Sequence, residues 1–306
     1  MKYFLSILIL LICLQDTKAQ DSLNFTRTEI IYGRKDGMSL TMLMLSPKQK
    51  GNGKAIISLV SGNWVSSYTN AANFVNRSKI YIDNGYTVFA VIHGSQPRYS
   101  IPDAISDIKR AVRFIRYNSK EYNIDPLHIG ITGSSSGGHL SLMTALSDDK
   151  IDSTNRDPIN RVSARIQAVA VFFPPTDFLN WGQANTDLTK IKAAITLARV
   201  VSAFEYKEWN DTTQTYKIIN DPEKIVQIAK KTSPIYSVSP DDPPVMIIHG
   251  DADRTVPLQQ TETIIQKLKD ANVPNKFIIK KGGGHGWQNM EIEQKNFVDW
   301  FNKYLK

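Results

Sequence analysis

The chain has 306 residues, 42% hydrophobic and 22% charged, an ordinary globular balance with length enough for one large α/β domain plus insertions. Its formal net charge of +8 comes from scattered lysines and arginines, densest at Lys48 with Lys50, Lys230-Lys231 and Lys280-Lys281. No basic stripe interleaved with aromatics occurs, which argues for solvated surface charge and against a nucleic-acid partner.

At the N-terminus, Lys2 precedes an apolar run from Tyr3 to Leu14, and small residues stand at Thr17 and Ala19. This is the pattern of a secretory signal peptide at 1–19, with a domain at 20–306 and a secreted or periplasmic destination. The run is shorter than the ~20 residues that span a bilayer, so stable membrane insertion is not expected. Cys13, the single cysteine, lies in it, and cleavage would leave a chain with neither disulfide nor thiol chemistry.

Thr28 to Tyr32 and Ser39 to Leu45 alternate around Arg34-Lys35-Asp36-Gly37, a hairpin signal for an antiparallel edge. Lys54 to Val60 predicts the first buried strand, followed by a Gly62-Asn63-Trp64 loop and a helical stretch to about Asn84. Tyr86 to Ile92 is the next strand, and Ile105 to Tyr117 sets Ile108, Val112 and Ile115 on one helical face. An apolar run from Leu127 to Ile131 leads through Gly133-Ser134-Ser135-Ser136-Gly137 into a helix, Gly138 to Leu146. Ile166 to Phe173 predicts a strand stopped by Pro174-Pro175, and Val245 to Gly250 another. An amphipathic helix from Leu258 to Ala271 and a strand from Lys276 to Lys280 follow. Strands alternating with helices over short connections argue for a parallel, doubly wound sheet. Phe178 to Pro234 breaks the rhythm. It holds no strand pattern, only helix-like stretches (Leu188 to Phe204, Glu223 to Lys231) and aromatics such as Trp181, Phe204, Tyr206, Trp209 and Tyr216, so 178–234 reads as an inserted helical cap.

A G-x-S-x-G between a strand and a helix is the pattern of a nucleophile elbow, in which a strained turn exposes the central hydroxyl, here that of Ser135. A serine hydroxyl needs a base within hydrogen-bond reach and an acid to orient that base. Asp253 follows the Val245–Gly250 strand, and His285 follows the Lys276–Lys280 strand within Gly282-Gly283-Gly284-His285-Gly286-Trp287. Both therefore lie at the carboxyl edge of the predicted sheet, where Ser135 lies and where open parallel sheets bind ligands. Asp251 competes with Asp253 for the acid, and His93, His128, His139 and His249 compete with His285 for the base. Only His285 sits in a glycine-flanked loop after the last strand. No histidine or cysteine pattern of a metal site and no G-x-G-x-x-G after a strand occurs, so neither a metal nor another cofactor is expected.

Gly133 to Leu140, the His249-Gly250-x-x-Asp253-x-x-Val256-Pro257 pattern and Gly284-His285-Gly286-Trp287 together resemble the α/β-hydrolase superfamily over nearly all of the chain after residue 19. Within it they are similar to the carbohydrate-esterase branch of acetylxylan and feruloyl esterases, next to the hormone-sensitive-lipase-like esterases. The resemblance implies an α/β-hydrolase fold with an eight-stranded, mostly parallel sheet flanked by helices, and it favours Asp253 as the acid, with His249 bracing its loop. It implies an oxyanion hole built from the amide of Ser136 and a loop amide at Gly62 or Asn63, with Trp64 in the pocket wall. The family's usual His-Gly-Gly loop is altered here to Ser61-Gly62-Asn63, so the histidine that supports the loop is missing. The implied activity is hydrolysis of carboxylic esters, with acetyl or feruloyl esters of plant polysaccharide as partners. A prolyl-oligopeptidase-like peptidase, a lipase and a non-catalytic binding module are the rivals; the first lacks room before Lys54 for its extra domain, and the last usually lacks the serine or histidine retained here.

Overall fold

The computed structural model describes residues 23–306; the signal-peptide expectation and Cys13 lie outside the described residues. The chain runs through β1 (Phe25–Lys35), β2 (Met38–Pro47), β3 (Ala55–Val60), α1 (Tyr68–Asp83), β4 (Thr87–Ile92), α2 (Ile101–Tyr117), β5 (Ile129–Ser134), α3 (Ser136–Leu146) and β6 (Ala168–Phe172). An insertion carries α4 (Lys192–Leu197), β7 (Lys207–Asn210), β8 (Thr215–Ile218) and α5 (Pro222–Lys231). The body resumes with β9 (Val245–Gly250), α6 (Gln259–Asp270), β10 (Asn275–Lys280) and α7 (Glu291–Tyr304).

β1 and β2 turn on Asp36-Gly37, both at positive φ (47° and 79°), the conformation that a tight hairpin requires and that Asp-Gly tolerates. The eight-stranded sheet has the order β1-β2-β4-β3-β5-β6-β9-β10. It is antiparallel from β1 to β4 and parallel thereafter. β3, β4, β6 and β9 are buried along their whole length, as continuous apolar strands covered on both faces must be. α1 and α7 cover one face, where Tyr81, Ile82, Phe297 and Phe301 pack with Ile56 and Ile248. On the other, Ile108 of α2, Leu140 of α3 and Ile264 of α6 pack with Ile57 and Val169. Among the described residues no helix is long and apolar enough to cross a membrane.

Two expectations are corrected. The insertion is not purely helical: β7 and β8 form an antiparallel hairpin in which Trp209 faces Tyr216, rings 5.1 Å apart. The Asn210 side chain accepts from the amides of Thr212 and Thr213 and so closes the turn. The long helix expected over 188–204 is broken as well. Only α4 is α-helical there, flanked by single 3₁₀ turns at Leu188–Lys190 and Val201–Ala203, with Arg199 at φ 57° between them.

Candidate active site

Ser135 stands between β5 and α3 at φ 53°, ψ −123°, a conformation that non-glycine residues adopt only when the surroundings impose it. Two things impose it. The Ser135 amide is held by the Phe172 carbonyl (3.0 Å) while its own carbonyl accepts the His139 amide (2.9 Å) and starts α3. The turn closes only because Gly133 has no side chain: a Cβ there would lie 2.5 Å from the Gly137 carbonyl. The hydroxyl is thereby presented at the carboxyl edge of the sheet, above the N-terminus of α3.

Asp253 and His285 reach it from the loops after β9 and β10. These loops approach closely because Gly250 meets the Gly283 backbone, where a Cβ would be 2.1 Å from the Gly283 carbonyl oxygen. His285 Nε2 is 2.9 Å from Ser135 Oγ, and His285 Nδ1 is 2.8 Å from Asp253 Oδ2. The other carboxylate oxygen, Oδ1, accepts from the amides of Thr255 (2.8 Å) and Val256 (2.9 Å). The Asp253 side chain is fully buried. Burial pushes its pKa up, but the contacts from His249, His285 and the Val256 amide outweigh that and hold it well below the usual carboxylate range. His285 therefore faces a fixed anion through Nδ1–H, which leaves Nε2 as an acceptor toward the serine proton. Asp251 takes no part: it is exposed and accepts the Gly282 amide at 2.6 Å.

The remaining histidines fall into place around this line. His249 is buried, donates Nε2–H to the Val256 carbonyl (3.0 Å) and accepts at Nδ1 from Thr261 (2.7 Å), so it braces the acid loop. His139 is buried on α3 and bridges Trp64 to the Thr232 carbonyl. His128 pairs with Asp125 at the opposite end of β5. His93 lies at the end of β4, buried beneath the 61–64 loop.

The oxyanion-loop expectation divides. The Ser136 amide opens α3 at the helix's positive end, next to Ser135, and makes no hydrogen bond among the described residues. Gly62 does not have a free amide: it donates to the Val65 carbonyl (3.0 Å), and the Val65 amide returns to Gly62 O (2.8 Å). Asn63 has one. It stands at φ 54°, which asparagine tolerates better than most residues, and its amide makes no hydrogen bond among the described residues. Its carbonyl accepts from Gln96 Nε2 (2.8 Å) and its side chain donates to the Ala198 carbonyl of the insertion (3.1 Å). Asn63 in place of glycine thus docks the loop onto the insertion.

Trp64 is a correction. It is 6% exposed and its indole N–H donates to His139 Nδ1 (3.1 Å). Edge contacts to Phe178 and Phe204 lock it into the core. It supports the site from below. Trp287, two residues past His285, lies on a cleft that Ser135, Asp253 and His285 do not themselves line. With Ser134, Phe172 and Met290 it lines a cleft of about 580 Å³ between α1 and α7, rimmed by Arg77 and Lys295. Trp287 is held by its indole N–H to Glu293 (3.0 Å), itself paired with Lys280 (2.7 Å). Phe173 was not singled out from sequence, yet its ring lies 4.6 Å from that of His285 and packs against the imidazole. The cue was its place at the end of a sheet strand before Pro174. A larger hollow of about 1030 Å³ between α2 and α5 contains none of these residues.

Residues 42–268 match the BD-FAE family, from β2 through α6 and including Ser135 and Asp253. The chain belongs to the BD-FAE family. Among its relatives is the probable carboxylic ester hydrolase LipM of Mycobacterium tuberculosis, 28% identical over 188 residues, which cover 61% of this chain and 38% of LipM. The chain spans 38% to 60% of the length of the first three curated relatives it matches. A truncated carbohydrate esterase from gut microbiota superposes with a TM-score of 0.68 at 26% identity, over 91% of this chain and 98% of that one. An acetyl ester-xyloside bifunctional hydrolase from Caldicellulosiruptor lactoaceticus shares the fold, with a TM-score of 0.65 at 22% identity over 91% and 94% of the two chains. The fold is that of the α/β-hydrolases.

Proposed function

We propose that this chain is a secreted serine carboxylic-ester hydrolase that works through a covalent acyl-enzyme, with acetyl or feruloyl esters of plant polysaccharide as its substrates. The unbroken line from Asp253 to His285 to Ser135, with contacts of 2.8 and 2.9 Å, carries the reading. Ser135 Oγ attacks the ester carbonyl carbon as its proton passes to His285 Nε2, and the carbonyl π electrons move onto oxygen. The amides of Ser136 and Asn63 receive that oxyanion, each worth roughly 3–4 kcal/mol in a preorganised site. Collapse breaks the bond to the alcohol oxygen, which takes the proton from His285 and leaves. Water then repeats the sequence on the acyl-enzyme, giving up a proton to His285 and releasing the acid and free Ser135.

The substrate class is supported by family membership and by the aromatic rings beside His285, Phe173 against the imidazole and Trp287 against Phe173, which suit a short or planar group. A long flexible chain would lose about 0.5–1.5 kcal/mol per rotamer-rich unit on being ordered there. Export is supported by Lys2 and the Tyr3–Leu14 run, and N-terminal sequencing of the released protein should begin at Gln20.

The deciding experiment compares 4-nitrophenyl acetate through decanoate, methyl ferulate and acetylated xylan, with a fluorophosphonate to mark the nucleophile. Acetyl or feruloyl esters should give higher kcat/KM than decanoate, with the label on Ser135. Activity that climbs steadily to long chains and jumps at an oil–water interface would make the protein a lipase instead. A label on Ser134 or Ser136 would remove the nucleophile assignment.

A further inference from the structure

The family's usual loop histidine is absent, yet the 61–64 loop is firmly held, and the holder is on another strand. His93 Nδ1 lies 2.7 Å from the Gly94 carbonyl, which can only accept, so Nδ1 carries the hydrogen. His93 is 3% exposed, and burial pushes its pKa down to about 4, which keeps the ring neutral and leaves Nε2 an acceptor. Ser61 Oγ lies 3.0 Å from that Nε2 and must donate to it. With its only hydrogen so used, Ser61 Oγ accepts from Ser136 Oγ at 3.1 Å. Every direction in the chain from Ser136 through Ser61 and His93 to Gly94 is therefore fixed.

Both ends of this chain matter. Ser136 supplies one candidate oxyanion amide, and Ser61 is two residues before Asn63, which supplies the other. The Gly94 end is anchored, since its amide donates to buried Asp107 Oδ2 (2.9 Å), whose other oxygen pairs with Lys35 (3.0 Å). Further stitches join the same two loops: the Ser66 amide donates to Ser95 Oγ (2.6 Å), Ser95 Oγ donates to the Ser66 carbonyl (2.9 Å), and the His93 amide donates to Ser66 Oγ (3.3 Å).

We infer that His93 is a positioning residue for the oxyanion hole, acting through Ser61 to hold the Ser136 and Asn63 amides at a fixed separation. It touches no substrate; it sets where the two donors point. The inference rests on the serine-hydrolase reading above. An oxyanion hole works only when its donors are aimed at the tetrahedral oxygen rather than at the ground-state carbonyl. Loosening the chain should therefore weaken transition-state binding and leave ground-state binding alone.

Ser61→Ala and His93→Phe cut the chain at successive links, and His93→Gln restores an acceptor to Ser61. The assay is hydrolysis of 4-nitrophenyl acetate, normalised to sites titrated by a fluorophosphonate, alongside inhibition by a trifluoromethyl ketone, whose adduct carries the oxyanion. Ser61→Ala should lower kcat about tenfold to a hundredfold with KM held, below the ~10²–10³ loss expected for removing a donor outright. The ketone's affinity should fall by a similar factor, and His93→Gln should recover most of what His93→Phe loses. A merely structural role would lower the titrated fraction and the Tm while leaving kcat and inhibitor affinity per site unchanged, and that result overturns the inference. If His93→Phe does not fold, Ser61→Ala decides alone, since it removes a single hydroxyl. Failure of the wild type to label at Ser135 would reject the hydrolase reading; normal labelling with an unaffected Ser61→Ala rejects only this one.

Discussion

Replacing Asp253 by asparagine tests the site most sharply, because the surroundings dictate how the new amide must lie. In the native protein Oδ1 accepts two backbone amides, from Thr255 and Val256, and Oδ2 faces His285 Nδ1 and His249 Nε2. An asparagine must keep its carbonyl oxygen toward the two amides, since turning it would oppose donors to donors. Its NH₂ group is then forced onto His285 Nδ1, which has to become an acceptor. The ring's hydrogen moves to Nε2 and points at Ser135 Oγ, so the base can no longer take the serine proton. In a serine protease an equivalent change lowers kcat by about 10⁴, or about 5.4 kcal/mol of barrier. Asp251→Asn keeps an oxygen for the Gly282 amide on an exposed loop and should stay within about ±0.5 kcal/mol, roughly twofold. Both variants are measured on 4-nitrophenyl acetate, per mole of folded protein judged by circular dichroism. If Asp251→Asn proved the more damaging, or Asp253→Asn kept a tenth of wild-type kcat, the acid would be misassigned.

Trp64→Ala removes a buried indole and orphans His139 Nδ1, so it should destabilise the fold by about 3–5 kcal/mol in urea titration; a loss under ~1 kcal/mol with a raised KM would return Trp64 to the pocket wall. Stability should also fall on acidification. Burial holds His93 and His139 at about 4 against an ordinary 6.5, so between those values the unfolded chain binds protons that the native state refuses. Stability is complete above pH ~6.5 and declines toward pH ~4, by up to about 3 kcal/mol per histidine. Asp253, held below the usual range, adds a further loss once the pH drops beneath its ordinary value. Urea midpoints at pH 7.5 and 4.5 measure this, and equal midpoints would contradict the buried neutral rings.

The parallel sheet was legible because its strands are buried on both faces and so appear as unbroken apolar runs. Val245–Gly250, for example, can be bounded from sequence alone. The insertion was not, because its signals are local and weak. Leu188 to Phe204 has helix-forming composition throughout, but Phe204, Ile195 and Leu188 each turn into the core from separate short turns. The β7–β8 hairpin pairs only four residues a side, with one aromatic pair, Trp209 with Tyr216, too short an alternation to stand out. α7 went unread for a different reason. Phe297, Val298, Trp300 and Phe301 do show helical spacing, but no capping signal marks the start at Glu291.

That Ser135, Asp253 and His285 come together was legible because each occupies a strand end beside glycines that the turns demand, and strand order alone brings those ends to one edge. The oxyanion loop was harder, since its chemistry lies in backbone amides, and a sequence does not say which amide is already engaged. Gly62 and Asn63 were equal candidates by sequence, and the Gly62–Val65 bridge occupies the Gly62 hydrogen and leaves that of Asn63. His93 was one of several histidines at strand ends, and only the direction of three successive hydrogen bonds separates it from a core-packing residue. On the inference drawn above, His93 answers the departure from the family's loop. Where the loop lacks its own histidine, the next strand supplies an imidazole from beneath, and Asn63 ties the same loop to the insertion from above. A substitution on either side of that loop should be felt in the oxyanion hole before it is felt in the triad.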